Sequence, residues 1–141
     1  MTITDATVTN ATVVRRFVDE VLAGGRLEAV DPLVADEFVS HTWGIEQNGR
    51  ATLRSVTERV HGSLRDVEFR IDDLVADGDR VAVRLTSSAT PTGEFMGVPA
   101  AGKRYTIGEM HFFRLRDGRI VEHWHQHEAL GLMKQLGAIP G

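Results

Sequence analysis

Four of the six histidines in this 141-residue chain lie close together, at positions 111, 123, 125 and 127. On a β-strand, side chains two residues apart point to the same face, so His123, His125 and His127 would share one. Imidazole changes its charge near neutral pH, and a nearby carboxylate such as Glu109 would shift that titration. Such a set can take up and return a proton, which is what general acid–base catalysis requires.

His111 joins that face only in one register of the hairpin that turns at Asp117-Gly118. A plain two-residue turn would pair residue 116 with 119 and put His111 on the opposite face. A three-residue loop with a left-handed bulge at Gly118 would pair 115 with 119 and 111 with 123. We predict the bulged register, because it gathers apolar and titratable side chains on one inward face. The members of that face would be Glu109, His111, Phe113, Leu115, Val121, His123, His125 and His127.

Histidines two residues apart on a strand can also share a divalent metal ion. The HWHQH stretch over 123–127 has this spacing, and His111 or Glu109 could supply a further ligand. However, the three same-face histidines would be spaced about 6.6 Å apart along the strand and could not easily reach one ion together. We therefore expect no metal, and a metal enzyme stays open as an alternative.

Outside this cluster, His41 and Trp43 follow a short predicted strand and could form the rim of a pocket. His61 lies one position from the apolar stripe of a predicted helix, so we expect it at the surface. The chain has no G-x-x-x-x-G-K-[ST] phosphate loop and no G-x-S-x-G nucleophile elbow. The sequence therefore favours acid–base chemistry over phosphate binding or a serine nucleophile.

The apolar spacing predicts the elements that position these residues. A helical period is present over 14–22, 27–34, 50–64 and the segment after residue 128, whereas a period of two marks strands over 67–71, 81–85, 104–116 and 119–128. The segment 91–102 is a Gly/Pro-rich loop of a length that often borders a functional site.

Helices that precede antiparallel hairpins predict an α+β fold, in which a curved antiparallel sheet carries the N-terminal helices across its concave face. A bent sheet closed by helices forms a cone with a cavity, which suits a small-molecule site. The polar, Thr-rich residues 1–10 are predicted to be loose, and 11–141 to form a single domain.

Composition excludes several classes of protein. Apolar residues make up 42% and charged residues 26%, which is typical of a globular domain. The absence of cysteine excludes disulfides, thiolate zinc sites and a cysteine nucleophile. A net charge of −4 argues against nucleic acid or an anionic membrane as partner. With no long apolar run and no secretory signal at the N-terminus, we expect a cytoplasmic protein.

Several motifs together resemble the SnoaL-like polyketide cyclase family of the nuclear-transport-factor-two-like superfamily. The resemblance covers nearly the whole chain and rests on six segments. They are FVDEVLAGG, LVADEFVSH, DLVADGDRVAVRLTSS, GEFMGVPAAGKRY, HFFRLRDGRIVEHW and LGLMKQLG.

This resemblance implies a cofactor-independent enzyme that closes a ring of a polyketide ester by intramolecular aldol condensation. In the family pattern an acid/base Asp commonly follows the Trp of E-H-W, and here that position is His125. We expect His125 as general base and acid, His111 as its partner and oxyanion donor, and Glu109 to tune them. His123 and His127 would bind polar groups of the substrate. The apolar wall would include Phe17, Met96 and Phe113.

Alternative functions remain open at this point. The same acid–base set could serve a hydratase, an epoxide hydrolase or an isomerase acting on a hydrophobic polyketide or terpenoid. A binding module without turnover is a further alternative. The resemblance also implies a homodimer formed through the outer face of the sheet, where Met110, Phe112 and Trp124 are available.

Overall fold

A computed structural model describes residues 5–141 as helices packed against one β-sheet. The first helix, α1, spans Asp5–Arg16 and continues as a π-helical segment over Phe17–Ala23. Its apolar stripe is buried as predicted, with Phe17 and Val18 fully covered. Gly25 follows with a φ of +63°, a conformation that glycine adopts without strain.

Residues 5–10 differ from the loose segment that the sequence predicted, because they form the first turns of α1. Two polar side chains hold these turns against the sheet. The Asn10 amide donates to the carbonyl of Gly78 at 2.9 Å, and the Gly78 N–H donates to Thr7 at 3.0 Å. Residues 1–4 lie outside the described part of the chain, and a domain start at residue 11 stays a prediction.

Three further α-helices follow in the described part of the chain. A 3₁₀ turn over Leu27–Ala29 leads into α2, Val30–Leu33, so the helix predicted over 27–34 is present in two pieces. Helix α3 spans Gly49–Gly62, and α4 spans Ala129–Leu136. Among residues 5–141, no helix has both the length and the apolar character needed to cross a membrane.

The five strands form one curved, unclosed sheet in the order β1-β5-β4-β3-β2. Their bounds are Val34–Ser40 for β1, Leu64–Asp77 for β2, Arg80–Pro91 for β3, Tyr105–Arg116 for β4 and Arg119–His127 for β5. Neighbouring strands are antiparallel as predicted, except that β1 runs parallel to β5. This mixed edge brings Ser40 beside His123, a pairing that the sequence analysis did not anticipate.

The predicted register of β4 and β5 is wrong in detail, although its consequence is correct. The turn at Asp117-Gly118 is a plain two-residue turn with positive φ at both residues, and it pairs 116 with 119. The register shifts farther along, where Leu115 pairs with Ile120 and the next pair is Arg114 with Glu122. This bulge restores the inward face, so His111 lies opposite His125 rather than His123.

The helices cover the sheet from both ends of the chain. The larger apolar cluster joins the first helix to β3, β4 and β5, and Phe17 meets Phe113 edge to face with ring centroids 5.6 Å apart. A smaller cluster packs Leu132 and Leu136 of α4 on Tyr105 and Ile107 of β4. Inward side chains of β4 and β5 therefore face the protein interior along their length.

Candidate active site

A cavity of about 350 Å³ opens between α3, the sheet and the loop that follows β3. Most of its wall is apolar, and includes Leu53, Val56, Phe69, Phe95, Ile107 and Leu132. At one end the wall becomes polar, where Glu109, His111, His125 and His127 lie together. The cavity can thus surround an apolar molecule while presenting titratable groups to one part of it.

The polar end is organised around one carboxylate oxygen. His111 Nε2 lies 2.8 Å from Glu109 Oε1, and His125 Nε2 lies 3.0 Å from the same oxygen. The two imidazoles are stacked, with ring centroids 4.2 Å apart and planes inclined by 13°. On the other side of the carboxylate, the buried Ser87 hydroxyl donates to Glu109 Oε2. The carboxylate is therefore held from both sides and aimed at two histidines.

Burial and contact act on these groups in opposite directions. Burial alone would raise the pKa of Glu109, but the contacts with His111, His125 and Ser87 hold that pKa below its usual range. Burial lowers the pKa of His111, and the hydrogen bond to Glu109 opposes this shift only in part. The cluster at neutral pH is thus a carboxylate beside a neutral His111.

His125 differs from His111 in its hydrogen bonding. Neither of its ring nitrogens has a hydrogen-bond partner among the described residues, since the short contact with Glu109 is poorly aligned. Its backbone, in contrast, is clamped by Thr42, whose hydroxyl accepts from the His125 N–H at 2.7 Å and donates to its carbonyl at 3.0 Å. The backbone of His125 is therefore fixed, and its ring lines the cavity with two buried nitrogens that have no hydrogen-bond partner among the described residues.

His123 and His127 flank this pair on the same strand. His127 lines the cavity, and burial together with nearby His125 lowers its pKa. His123 is fully covered and lies behind His111 rather than in the cavity wall. Burial, followed by the neighbouring histidines, lowers the pKa of His123 well below its usual value. His123 is therefore placed to act on His111, not on a ligand.

Aromatic residues complete the polar end. Trp43 lines the cavity and lies against His123, with ring centroids 4.1 Å apart, and it meets His111 and His125 edge to face. Tyr105 also lines the wall, where burial and the charge of Glu109 raise its pKa to about 12. Trp43 therefore packs against three of the histidines, whereas Tyr105 stacks on Phe95.

Not every residue predicted for the site faces the cavity. Met96 does, from the loop after β3, and its side chain is half exposed. Phe17 and Phe113 are instead fully buried in the core beneath the histidines, so they support the wall without forming it. His41 lies on the outer face of the sheet, stacked on Trp124 and in contact with Glu122.

Three residues at or behind the site were not among those predicted for it. His61 lines the cavity, and its Nε2 lies 3.0 Å from the carbonyl oxygen of Leu22. The His61 ring packs against Gly25, where any side chain would clash, because a Cβ on Gly25 would lie 2.6 Å from the ring. Ser87 contacts Glu109, and Ser40 lies behind His123. The predicted inward alternation of β3 could have identified Ser87, whereas Ser40 depends on the unpredicted parallel pairing.

The same end of the cavity is the part of residues 5–141 where three ligand atoms converge. Glu109, His111 and His125 each offer one atom within 4.8 Å of the others, and two histidines with one carboxylate can hold a divalent transition metal. A carboxylate only accepts hydrogen bonds, so the close contact places a proton on His111 Nε2. Metal binding would require that proton to leave.

Comparison with known proteins places this geometry in context. Aklanonic acid methyl ester cyclase DnrD from Streptomyces peucetius is 30% identical over 81 residues, which are 57% of this chain and 51% of the relative. The match therefore spans about half the length of that curated relative. The structure of TsrD from Streptomyces laurentii is 28% identical and covers 98% of this chain and 100% of that one, with a TM-score of 0.85.

A third comparison shows how widely the fold is shared. An LEH-like epoxide hydrolase from M. tuberculosis has a TM-score of 0.73 over 94% of this chain and 92% of its own, at 20% identity. That likeness concerns the fold alone. The profile of the SnoaL-like polyketide cyclase family matches residues 12–136. The chain, whose curved sheet carries a buried carboxylate and histidines at the end of an apolar cavity, belongs to the SnoaL-like polyketide cyclase family.

Proposed function

We propose that this protein catalyses the intramolecular aldol cyclisation of a hydrophobic polyketide ester without a cofactor. The observation that carries the proposal is the pairing of Glu109 with His111 and His125 at the closed end of an apolar cavity. Family membership supports the reaction class. The relative named as an aklanonic acid methyl ester cyclase supports a methyl ester as substrate.

His125 would act as the general base. Its ring carries no competing hydrogen bond among the described residues, so a lone pair is available to a proton beside a substrate carbonyl. Taking that proton makes His125 cationic, and Glu109 Oε1 at 3.0 Å stabilises the new charge. The imidazole would thus replace the aspartate that commonly occupies this position in the family pattern.

The enolate that forms would then attack a second carbonyl of the same molecule. One C–H bond breaks and one C–C bond forms, and the alkoxide receives the proton that His125 took. The product is therefore an isomer of the substrate, and no oxidant or co-substrate is required. We assign His127 to a polar group of the substrate, because it lines the cavity beside His125, whereas His111 donates to Glu109.

The apolar wall would contribute by holding the substrate folded. A flexible chain loses conformational entropy when its two reacting parts meet. If the cavity binds the substrate already folded, that loss occurs on binding and no longer adds to the barrier of the chemical step. Leu53 and Val56 of α3 face Ile107 of β4 across the cavity, so a flat conjugated molecule could lie between helix and sheet. A conjugated substrate also spreads the enolate charge, which lowers the demand on the base.

The proposal can be tested with an anthraquinone-type β-keto methyl ester in deuterated water. Mass spectrometry would follow deuterium uptake at the acidic carbon and ring closure. We expect closure by the wild-type protein, and a loss of about 10²–10⁴-fold in kcat for His125→Ala, which is the usual contribution of a general base. His41→Ala is the matched control, because His41 contacts a glutamate on the other face of the sheet.

Full turnover by His125→Ala would contradict the assignment of the base. Binding of the ester with neither deuterium uptake nor closure would contradict the cyclase proposal and support a binding module. Incorporation of heavy oxygen from labelled water into a product would support hydration or epoxide opening instead.

Two further parts of the proposal concern assembly and location. We propose a homodimer formed through the outer face of β4 and β5, where Met110, Phe112 and Trp124 are exposed apolar side chains. Sedimentation at micromolar concentration would test it, and a monomer would contradict it.

A cytoplasmic location likewise stays a proposal, which localisation of the tagged protein in its host would test.

A further inference from the structure

A row of buried polar groups extends from the cavity into the protein interior. His111 Nδ1 lies 2.9 Å from His123 Nε2, and His123 Nδ1 lies 2.9 Å from the Ser40 hydroxyl. The backbone N–H of Trp43 donates to that hydroxyl at 3.1 Å. Ser40 and His123 are fully covered and His111 is 2% exposed, so none of these groups is satisfied by bulk water. The reaction proposed above uses neither Ser40 nor His123.

The direction of these hydrogen bonds can be derived from the Glu109 end. An ionised carboxylate only accepts, so His111 Nε2 must carry a proton. Neutral imidazole has one N–H, which leaves His111 Nδ1 as an acceptor. The proton between the two histidines therefore belongs to His123 Nε2, and His123 Nδ1 must accept from Ser40.

The Ser40 end leads to the same direction independently. The Ser40 oxygen already accepts from Trp43 N–H, and its own proton needs an acceptor. His123 Nδ1 is the acceptor within reach among the described residues. The opposite direction would leave a hydroxyl proton without a partner at a fully covered position, which is unfavourable because water cannot take the place of the missing acceptor.

We propose that Ser40 and His123 are positioning residues that hold His111 in its neutral, Nε2-protonated form, so that His125 alone serves as the base. This inference rests on the function proposed above and deepens it. His111 then donates through Nε2 to Glu109, and its Nδ1 lone pair accepts from His123. Its ring is stacked on His125 at 4.2 Å, so a charge on His111 would oppose a charge on His125. Keeping His111 neutral lets His125 accept the substrate proton.

The tautomers can be measured directly on the resting wild-type protein. Two-bond proton–nitrogen correlation spectra of isotope-labelled histidine distinguish a protonated ring nitrogen from a bare one. We expect His111 and His123 both to carry their proton on Nε2 near neutral pH. A proton on His111 Nδ1, or on both nitrogens of His111, would overturn the proposal. No substrate is present, so this result does not depend on whether the protein is a cyclase.

Substitution of Ser40 tests the consequence for catalysis. Ser40→Ala removes the donor to His123, and we expect kcat to fall about tenfold while KM changes less than twofold, since Ser40 does not line the cavity. In the same variant His123 can carry its proton on Nδ1 and accept through Nε2, so part of His111 should take a second proton on Nδ1 while keeping the one on Nε2. Ser40→Thr keeps a hydroxyl and should restore both the spectrum and kcat. Ser55→Ala, on the exposed side of α3, is the matched control.

The outcomes separate the two proposals. If Ser40→Ala keeps the wild-type tautomers and wild-type kcat, the positioning role is wrong, while cyclisation by the wild-type protein would still stand. If the wild-type protein shows the expected tautomers but closes no ring, the positioning role stands and the proposed reaction fails. If Ser40→Ala does not fold, the wild-type spectrum decides the question alone.

Discussion

A histidine–glutamate pair lies on each face of the sheet, and the two pairs differ in burial and in the groups around them. On the outer face, His41 Nε2 lies 2.7 Å from Glu122, and the side chains are 47% and 23% exposed. On the inner face, His111 Nε2 lies 2.8 Å from Glu109, and the side chains are 1% and 10% exposed. The contact distance is nearly the same, so distance does not distinguish a site from a surface ion pair.

What differs is the surroundings of each pair. Glu122 also meets Arg114, and water reaches the outer pair, so its charges are screened and its interaction energy is small. Among residues 5–141, no arginine or lysine lines the cavity beside the inner pair, and the ring nitrogens of the second histidine, His125, have no hydrogen-bond partner. Burial and the absence of competing charges are therefore what make the inner pair a candidate for proton exchange with a ligand.

The largest expected effect is on stability, and it concerns two neighbouring aromatic residues of β4 that lie on opposite faces of the sheet. Phe113 is fully buried under His111, whereas Phe112, its neighbour on the outer face, is 40% exposed. We expect Phe113→Ala to lower the free energy of unfolding by about 3–5 kcal/mol. Phe112→Ala should lower it by no more than about 1 kcal/mol. Urea denaturation of both variants measures the difference, and equal losses would break the comparison.

A smaller effect, on catalysis, should distinguish the two carboxylates. Glu109→Gln removes the counter-charge of the cation that forms on His125, and we expect kcat to fall about 100-fold, equivalent to roughly 2.7 kcal/mol. Glu122→Gln should leave kcat within about twofold, because Glu122 acts on the outer face. Steady-state kinetics with the ester substrate would compare them. A similar loss in both variants would show that the effect is structural.

The dependence of stability on pH sharpens the comparison further. Burial lowers the pKa values of His111 and His123, so their neutral forms stabilise the folded state. This contribution is complete above the unfolded pKa of about 6.5, and it decreases as pH falls below that value. Each imidazole can contribute a slope of up to about 1.4 kcal/mol per pH unit.

Denaturation measured at a series of pH values would give this slope. His123→Asn should reduce it, whereas His41→Asn should leave it unchanged. Glu109 contributes mainly in more acidic solution, because its pKa is lowered in the folded state and an unfolded glutamate takes up a proton only near its usual pKa of about 4.5. A stability that is flat from neutral pH to pH 5 would contradict the neutral state of the buried pair.

Chelation should have the smallest effect. Glu109, His111 and His125 could hold a metal, but His111 Nε2 donates to the carboxylate and offers no lone pair. We therefore expect activity after dialysis against EDTA to stay within about twofold of the untreated protein. Loss of activity that Zn²⁺ restores would show instead that the inner cluster is a metal centre.

Much of the fold follows from local patterns in the sequence. The period of 3.6 in the first helix and the period of two in β3, β4 and β5 depend only on neighbouring residues, and both were predicted correctly. The bulge in β5 was placed too close to the turn, because Asp117-Gly118 satisfies a two-residue turn and a bulged loop equally well. The helical state of residues 5–10 was missed because contacts with the distant Gly78 help to hold it.

The candidate site likewise has some features that local sequence determines and others that depend on distant contacts. The sequence by itself determined that Glu109, His111, His125 and His127 share a face, because alternation along a strand is local and the inward side must be apolar. Only the tertiary structure decided that Phe17 and Phe113 lie beneath the cavity, that His41 lies outside it and that His61 lies within it. It also decided that Ser40 meets His123, across a parallel pairing of residues 83 positions apart. Burial is a property of the whole packed chain, and here burial separates the proposed catalytic pair from the ion pair on the outer face.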